Sequence, residues 1–456
     1  MVELYASVIT GFEGVSSEEI AATWGINASR GRGYVRFELE PSRIVEALRL
    51  HSVDNLYAVL YDYEVVGLTG DAREEALRKI KGEISRINWK TAIECWEVVN
   101  GKHVPGGIET VKEQMREFVK NGTTGLTPQS SFTFRVTCNR AGEKSRHNFS
   151  SMDAARELGA QINNIFGWRP DMKNFDMEVV LNLKNETMLV MVALNRDSLF
   201  KRNICAFGPT TMRSTMCYCM TALARPVYGD VIVDPMCGGG SIPLEGALAF
   251  PGCLFIGADI HPKALERCIE NMGNSQKCPR AIRTIVSYFS SLCVWNAATD
   301  FHARQSIDYD FFEIKIILSL QILSGKVATR ALEVIDNEVN CEEQLLQVAS
   351  EVAFLKCDAV ELPFRESSVD AIVTDLPFGK KIGSIVDNRI LYPRLLVEWE
   401  RVVKPSGRLV VMTHDKRSWE RALALHGGCW RPVSHHMVNV GGLHVLCQCL
   451  VNTKKR

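Results

Sequence analysis

The spacing of apolar positions changes several times along the chain, and each change marks an element. In the first sixty-odd residues, alternating apolar runs at 5–9, 33–39 and 55–63 read as strands, and runs of three-to-four-residue spacing at 14–24 and 42–50 read as helices. The first helix carries Ser16-Ser17-Glu18-Glu19 near its start, where acids suit the helix dipole, and the second follows Pro41. This strand–helix–strand–helix–strand rhythm predicts a ferredoxin-like α+β unit over residues 1–66. A second α+β module is predicted over 67–203, with a helix at 71–87, a strand at 132–138, a helix at 151–165 and a hairpin at 176–194 turning near Asn185. Residues 101–131 are weakly patterned and rich in glycine (Gly106-Gly107, Gly122-Thr123-Thr124-Gly125), and they read as a loop.

From residue 204 onward the pattern is that of an α/β domain. Uninterrupted apolar runs at 231–233, 254–258, 352–355, 369–374 and 407–413 suit buried parallel strands, and residues 437–451 read as a closing hairpin around Gly441-Gly442. The first of these runs leads into Asp234-Pro235-Met236-Cys237-Gly238-Gly239-Gly240 and then a helix at about 242–250. Glycines at such a turn let backbone approach a ligand closely, but the spacing is not the dinucleotide fingerprint. Asp234, Cys237, Gly238 and Gly240 instead suit S-adenosylmethionine, whose methionine end offers an ammonium and a carboxylate. Asp259 ends the second strand, where an acid accepts ribose hydroxyls, and Asp358 follows the third, placed to accept from an adenine amine.

The fourth strand opens into Asp375-Leu376-Pro377-Phe378-Gly379. A planar exocyclic amine needs two acceptors in its own plane, here the Asp375 carboxylate and a backbone carbonyl, that of Leu376. Proline stiffens the exit, and the Phe378 face can stack on a base taken out of its helix. Acidic-proline-aromatic exits also occur in ordinary loops, so the order of the motifs carries more than any single one. Glycine loop, ribose acid, adenine acid and Asp-x-Pro-Phe follow one another as a doubly wound sheet with ligands over its carboxyl rim requires. Upstream, Phe207-Gly208-Pro209-Thr210-Thr211-Met212-Arg213-Ser214-Thr215 leads into an apolar helix; it reads either as a segment closing over cofactor or base, with Arg213 as a contact, or as a capped helix start.

Composition adds bounds. The chain has 456 residues, 46% hydrophobic and 23% charged, enough for two to four domains. The sequence has no secretory leader pattern and no apolar run long enough for a membrane span. Fifteen cysteines are then expected as reduced thiols in cytoplasm or nucleus. Their spacing suggests no zinc site, and Cys237 reads as packing, since amine methylation needs no covalent enzyme intermediate. Net charge is +0, which does not favour RNA, but residues 132–213 hold twelve Lys or Arg against eight Asp or Glu. Arg135, Arg140, Lys144 and Arg146 cluster there, with Lys201 and Arg202 later, as candidate phosphate contacts or as a solvated basic loop.

The blocks at 134–144, 207–215, 234–245 and 374–379 together resemble the THUMP-domain tRNA guanine-N2 methyltransferases, and the similarity runs from about residue 10 to about residue 451. The resemblance implies a Rossmann-like class I methyltransferase domain over 204–456, preceded by the ferredoxin-like unit and a THUMP RNA-binding domain. It implies methyl transfer from S-adenosylmethionine to the N2 amine of a guanosine in the tRNA acceptor stem, at position 6 or 7. It also implies a heterodimer with a small zinc-binding activator subunit. Onto the family's motifs fall Asp234, Cys237, Gly238, Gly240, Asp259 and Asp358 for the cofactor, and Asp375, Leu376, Pro377 and Phe378 for the target amine. One position departs: the family has a small hydroxyl residue where this chain has Gly239, which removes a hydrogen bond worth roughly 0.5–1.5 kcal/mol. Between Asp259 and Asp358 lie about a hundred residues, roughly twice what neighbouring strand ends need. The surplus, about 281–340, reads as an insertion or a gene-model error. Two alternatives stay open: an amine methyltransferase acting on another nucleic acid or on protein, and a catalytically impaired THUMP RNA-binding protein.

Overall fold

A computed structural model describes residues 1–122, 131–142, 146–274, 351–379 and 384–455. The surplus at 281–340 and Lys144 lie outside the described residues. The chain forms two compact units, one of Met1–Arg202 with His436–His444 and one of Asn203–His435 with Val445–Arg456.

The first unit runs β1 (Val2–Val8), α1 (Glu13–Trp24), β2 (Ser29–Gly31), β3 (Tyr34–Leu39), α2 (Ile44–Ala47), β4 (Val53–Glu64), α3 (Arg73–Gly82), α4 (Trp89–Asn100), α5 (Gly107–Asn121), β5 (Thr133–Ala141), α6 (Ser151–Phe166), β6 (Arg169–Pro170), β7 (Met177–Lys184) and β8 (Thr187–Ala193). One eight-stranded sheet, β2-β3-β1-β4-β8-β7-β5-β6, holds all eight strands. The expected boundary near residue 66 follows directly on β4, whose Tyr57 to Glu64 pair antiparallel with β8, so the strands on either side of it share one sheet. Strands show the alternation that predicted them: β1 and β3 bury every second residue.

Residues 101–131 depart from the expected loop, because Gly107–Asn121 is a helix. Ile108, Val111, Met115 and Phe118 recur at helical spacing and pack on the core. The glycines that suggested a loop are the helix's ends: Gly106 (φ 81°) precedes its first turn and Gly122 (φ 73°) closes its last. Helix α4 was not anticipated either; Asn88 caps it, accepting from Thr91 N, and Trp89 and Trp96 are buried. The hairpin turns at Asn185 (φ 53°) as its sequence suggested.

The second unit runs α7 (Ser214–Leu223), β9 (Val231–Asp234), α8 (Ser241–Ala249), β10 (Leu254–Asp259), α9 (Pro262–Asn274), β11 (Glu351–Lys356), β12 (Val369–Asp375), α10 (Ile385–Val402), β13 (Val403–Thr413), α11 (Lys416–His426), β14 (Trp430–Val440) and β15 (Leu443–Asn452). Its seven-stranded sheet has the order β11-β10-β9-β12-β13-β15-β14. The strands from β11 to β13 are parallel, and β15 runs antiparallel to β13. Order reverses between β9 and β12, which is the switch point where a doubly wound sheet opens a crevice at its carboxyl rim. Trp399 and Trp419 anchor α10 and α11 in a core shared with Leu395, Ile372 and Leu409. No described helix is long and apolar enough to cross a membrane.

The Glu186 carboxylate gathers the chain after β4, accepting from Gly67 N (2.6 Å), Leu68 N (2.8 Å), Thr69 N (3.0 Å) and the Thr69 hydroxyl. Partial burial alone would raise its pKa, but the hydrogen bonds from Thr69, Leu68 and Gly67 hold it below the usual glutamate value. A depressed folded pKa stabilises the fold above the unfolded value, and that stabilisation is lost as pH falls through the folded value. Glu186→Gln is therefore expected to lower the thermal midpoint at pH 7 by about 2–4 °C, corresponding to roughly 1 kcal/mol. The deficit should shrink as pH falls towards 3 in differential scanning fluorimetry.

Candidate active site

Four strand ends build the site. β9 ends at Asp234, and the loop that follows reverses through Gly238 (φ 55°) before Gly240 (φ 80°) starts α8. A side chain at Gly240 would strike the Phe354 ring at 2.8 Å, so that glycine is dictated by packing. At Gly238 nothing lies within 4 Å of a would-be Cβ, so the bend faces open space there. Asp259, at the end of β10, reaches this bend: its Oδ2 accepts from Gly238 N (3.0 Å) and its Oδ1 from His261 N (2.8 Å). Parallel pairing sets Asp259 opposite Lys356, so Asp358 stands two residues further along the same rim; it is exposed, and its Oδ1 accepts from Val360 N at 3.1 Å. The Cys237 thiol is buried 3.8 Å from that of Cys268, and burial pushes its pKa well up, which fits packing.

Asp234 and Asp375 end the neighbouring strands β9 and β12. Asp234 is buried, and its Oδ1 accepts from the Thr374 hydroxyl (2.7 Å) and Met236 N (3.2 Å). Burial pushes its pKa up to about 7, the bonds from Thr374 and Met236 oppose that rise, and the charge of Asp259 adds to it. Asp375 is half-buried as a residue, but its Oδ1 is closed off from solvent and takes no hydrogen bond among the described residues. Burial, and secondarily the Asp234 charge, drive its pKa well above the ordinary carboxylate range. The next residues are pinned. Leu376 N donates to Met412 O (2.9 Å), and the Pro377 carbonyl accepts from Asn388 Nδ2 (3.0 Å) and the Tyr392 hydroxyl (2.6 Å). Phe378 is half-exposed, its ring 6.1 Å from that of His414 on the adjacent β13 exit.

Asn271 belongs to no motif of the sequence. Wholly buried on α9, it uses its full hydrogen-bonding capacity: Oδ1 accepts from Cys205 N (2.9 Å) and Ala206 N (2.6 Å), and Nδ2 donates to Ala206 O (3.1 Å) and Gly239 O (2.9 Å). It braces the glycine loop at the position where this chain lacks a hydroxyl side chain. The available signal was a polar residue on the face of α9 that buries Ala264, Cys268 and Met272. Arg213 is exposed at the N-terminal end of α7, where its carbonyl accepts from Met216 N and Cys217 N.

The basic candidates lie in the first unit. Arg135 pairs with Glu178 (2.9 Å) and lies 4.0 Å over the Phe175 ring. Arg140 donates to Phe149 O and to Ser151 Oγ, and Arg202 donates to Leu50 O (2.9 Å) and His51 O. Arg146 and Lys201 are exposed.

The site's residues fit S-adenosylmethionine on this geometry: an open left-handed bend at Gly238, a buried acid at Asp234, and an acid at Asp259 with acceptor capacity to spare. Comparison with known proteins agrees. A model of the RMKL-like methyltransferase domain matches residues 202–280 and 335–446, leaving 281–334 uncovered, and a THUMP-domain model matches 108–193. The tRNA (guanine(6)-N(2))-methyltransferase THUMP3 of Bos taurus is 30% identical over 99% of this chain and 88% of its own length. Among solved structures, TrmN from Thermus thermophilus superposes with a TM-score of 0.63 at 19% identity, covering 99% of this chain and 100% of its own. SMU.472, solved complexed with SAH, gives 0.56 at 13% identity over 100% and 99%. The two likenesses establish the fold.

Asp234 gives a testable sign. A carboxyl whose folded pKa is about 7 favours the fold fully below its unfolded pKa, and that contribution is lost as pH rises through 7. Asp234→Asn is expected to raise the thermal midpoint of the ligand-free protein more at pH 8 than at pH 5; an equal change at both would contradict a buried, reluctantly ionised Asp234.

Proposed function

Since the chain belongs to the family of THUMP-domain tRNA guanine-N2 methyltransferases, we propose that it methylates the N2 amine of a guanosine in the tRNA acceptor stem, at position 6 or 7, with S-adenosylmethionine as donor. The observation that carries this is at the β12 exit: a buried Asp375 Oδ1 that takes no hydrogen bond among the described residues, followed by a Pro377 whose carbonyl is held by Asn388 and Tyr392.

Asp259 takes the ribose hydroxyls of the donor, Asp358 its adenine amine, and Asp234 with the Gly238 bend its methionine end, with Arg213 at the edge. The donor supplies a methyl group already activated on sulfonium. The protein's task is therefore positioning, which can account for most of the rate. Asp375 and the Leu376 carbonyl accept the two N–H bonds of the guanine amine, lying in its plane and turning its nitrogen lone pair out of it. Phe378 supports the face of the extruded base. As the amine nitrogen gains a methyl carbon it must release a proton, and Asp375 receives it. A carboxylate pushed up by burial is a better base than an exposed one. The bracing of Gly239 by Asn271 argues for a working glycine loop and against a catalytically impaired RNA-binding protein.

The exposed cations Arg146 and Lys201, with Lys144, are the candidate phosphate contacts. Arg135, Arg140 and Arg202, which also make bonds inside the fold, are proposed beside them. The reading extends to a small zinc-binding activator subunit as heterodimer partner and to a cytoplasmic location with a nuclear fraction; the family resemblance supports the first, and reduced cysteines the second.

The test is transfer of tritiated methyl from S-adenosylmethionine to bulk tRNA, with and without the activator subunit, followed by nucleoside mass spectrometry. N2-methylguanosine is the expected product. Asp375→Ala should abolish transfer with donor affinity, by calorimetry, within about twofold of the parent. Asp259→Ala should raise KM for the donor by about tenfold or more, the loss of charged hydrogen bonds. Persistent transfer by Asp375→Ala would remove the amine-orienting role.

A further inference from the structure

The Pro377 carbonyl accepts two hydrogen bonds from one helix. Asn388 and Tyr392 are one turn apart on α10, both wholly buried, and both donate to it. The bonds continue into a closed ring. The second Asn388 N–H donates to Asp415 Oδ2 (3.1 Å), and Asp415 Oδ1 caps α11 by accepting from Ser418 N (3.2 Å). Asp415 N donates to Thr413 Oγ1 (3.0 Å), and Thr413 and Tyr392 share a bond of 3.1 Å. The protons have one consistent direction: Asp415 N–H to Thr413, Thr413 O–H to Tyr392, and Tyr392 O–H to Pro377 O. The Asn388 amide has one orientation too, since a flipped amide would aim its oxygen at two acceptors.

Proline explains why the carbonyl is the place to grip. Pro377 has no N–H, and its ring fixes φ, so ψ and the carbonyl are the only freedom left. Two donors on that oxygen remove it. Upstream, the Leu376 N–H is fixed to Met412 O (2.9 Å) and its side chain is buried. The peptide carrying the Leu376 carbonyl is thus held at both ends, and the Phe378 ring leaves the clamp in one direction.

We infer that Asn388 and Tyr392 are positioning residues: they hold Pro377 by its carbonyl, and so set the angle at which the Leu376 carbonyl and Phe378 meet the target base. The inference rests on the amine-methylating reading of Asp375 to Phe378. A misplacement of about 1 Å costs about a hundredfold in rate, so partial loosening should show in kcat and not in substrate affinity. Tyr392→Phe keeps the ring packed on Trp419 and deletes only the donor. It should lower kcat about tenfold, leave KM for donor and tRNA within about twofold, and speed amide exchange across residues 374–379 by mass spectrometry. Asn388→Ala should do the same, and the Tyr392→Phe result stands alone if Asn388→Ala does not fold. Unchanged kcat in Tyr392→Phe overturns the inference, and so does a lower kcat with unchanged exchange, because the loop would then be as ordered as before. Asp375→Ala run alongside separates the levels. If it is inactive while Tyr392→Phe behaves as the parent, only the clamp is wrong; if it stays active, the reading beneath the clamp is wrong.

Discussion

The 2.7 Å hydrogen bond from the Thr374 hydroxyl to Asp234 Oδ1 joins the carboxyl ends of β9 and β12 where the strand order of the catalytic sheet reverses. At that point one loop bends away towards α8 and the other towards α10, so a crevice opens with an acid on each side. Parallel pairing at Ala371–Ile232 and Ile372–Val233 fixes the register, so that Asp234 is the next residue out on β9 and Asp375 the third out on β12. Neither acid has a choice of depth. Asp234 sits under the glycine bend and Asp375 beneath the proline exit, and burial raises both pKa values. A site of this kind resists ionisation while empty and gains from whatever brings positive charge or N–H donors into it. Thr374 and Met236 N offset part of the cost at Asp234; at Asp375 Oδ1 no described group does.

The two loops that leave this point are braced by the same device. Asn271 on α9 donates to the Gly239 carbonyl, and Asn388 on α10 donates to the Pro377 carbonyl. Asparagine suits the task physically. It is short, offers two donors and an acceptor in one plane, and is neutral, so it adds no field beside carboxylates that are already hard to ionise. A lysine or arginine in either place would pull Asp234 or Asp375 back towards an ordinary pKa. Uncharged bracing keeps the acids basic while their loops stay fixed, and it accounts for helices placed behind the rim with buried amides on them.

Legibility of the sequence followed the range of the interaction. Strand ends read well, because a buried parallel strand is an apolar run and the residue at its end is a matter of counting; Asp234, Asp259 and Asp375 all stand at the carboxyl ends of their strands. Helix α5 departs from the expected loop because its glycines are a helix's ends, and the spacing Ile108, Val111, Met115, Phe118 is the better signal. The pairing of β4 with β8 joins residues some 130 apart, and no local pattern reports it. The braces Asn271, Asn388 and Tyr392 were legible only as polar groups on apolar helix faces. That signal says a buried polar group has partners without saying which loops they belong to.

Charge illustrates the same limit from the other direction. A surplus of cations over residues 132–213 suggested phosphate contacts at Arg135, Arg140 and Arg202, but guanidinium groups also serve as rigid multi-donor struts. In the structure Arg135 is shared between Glu178 and the Phe175 ring, Arg140 holds the carbonyl of Phe149, and Arg202 holds those of Leu50 and His51. Arg135 is neutralised where it stands. Within one basic segment, then, the residues divide into those engaged in contacts inside the fold, such as Arg135, and exposed ones such as Arg146 and Lys201. For a chain of zero net charge, RNA binding depends on that division more than on the count of cations.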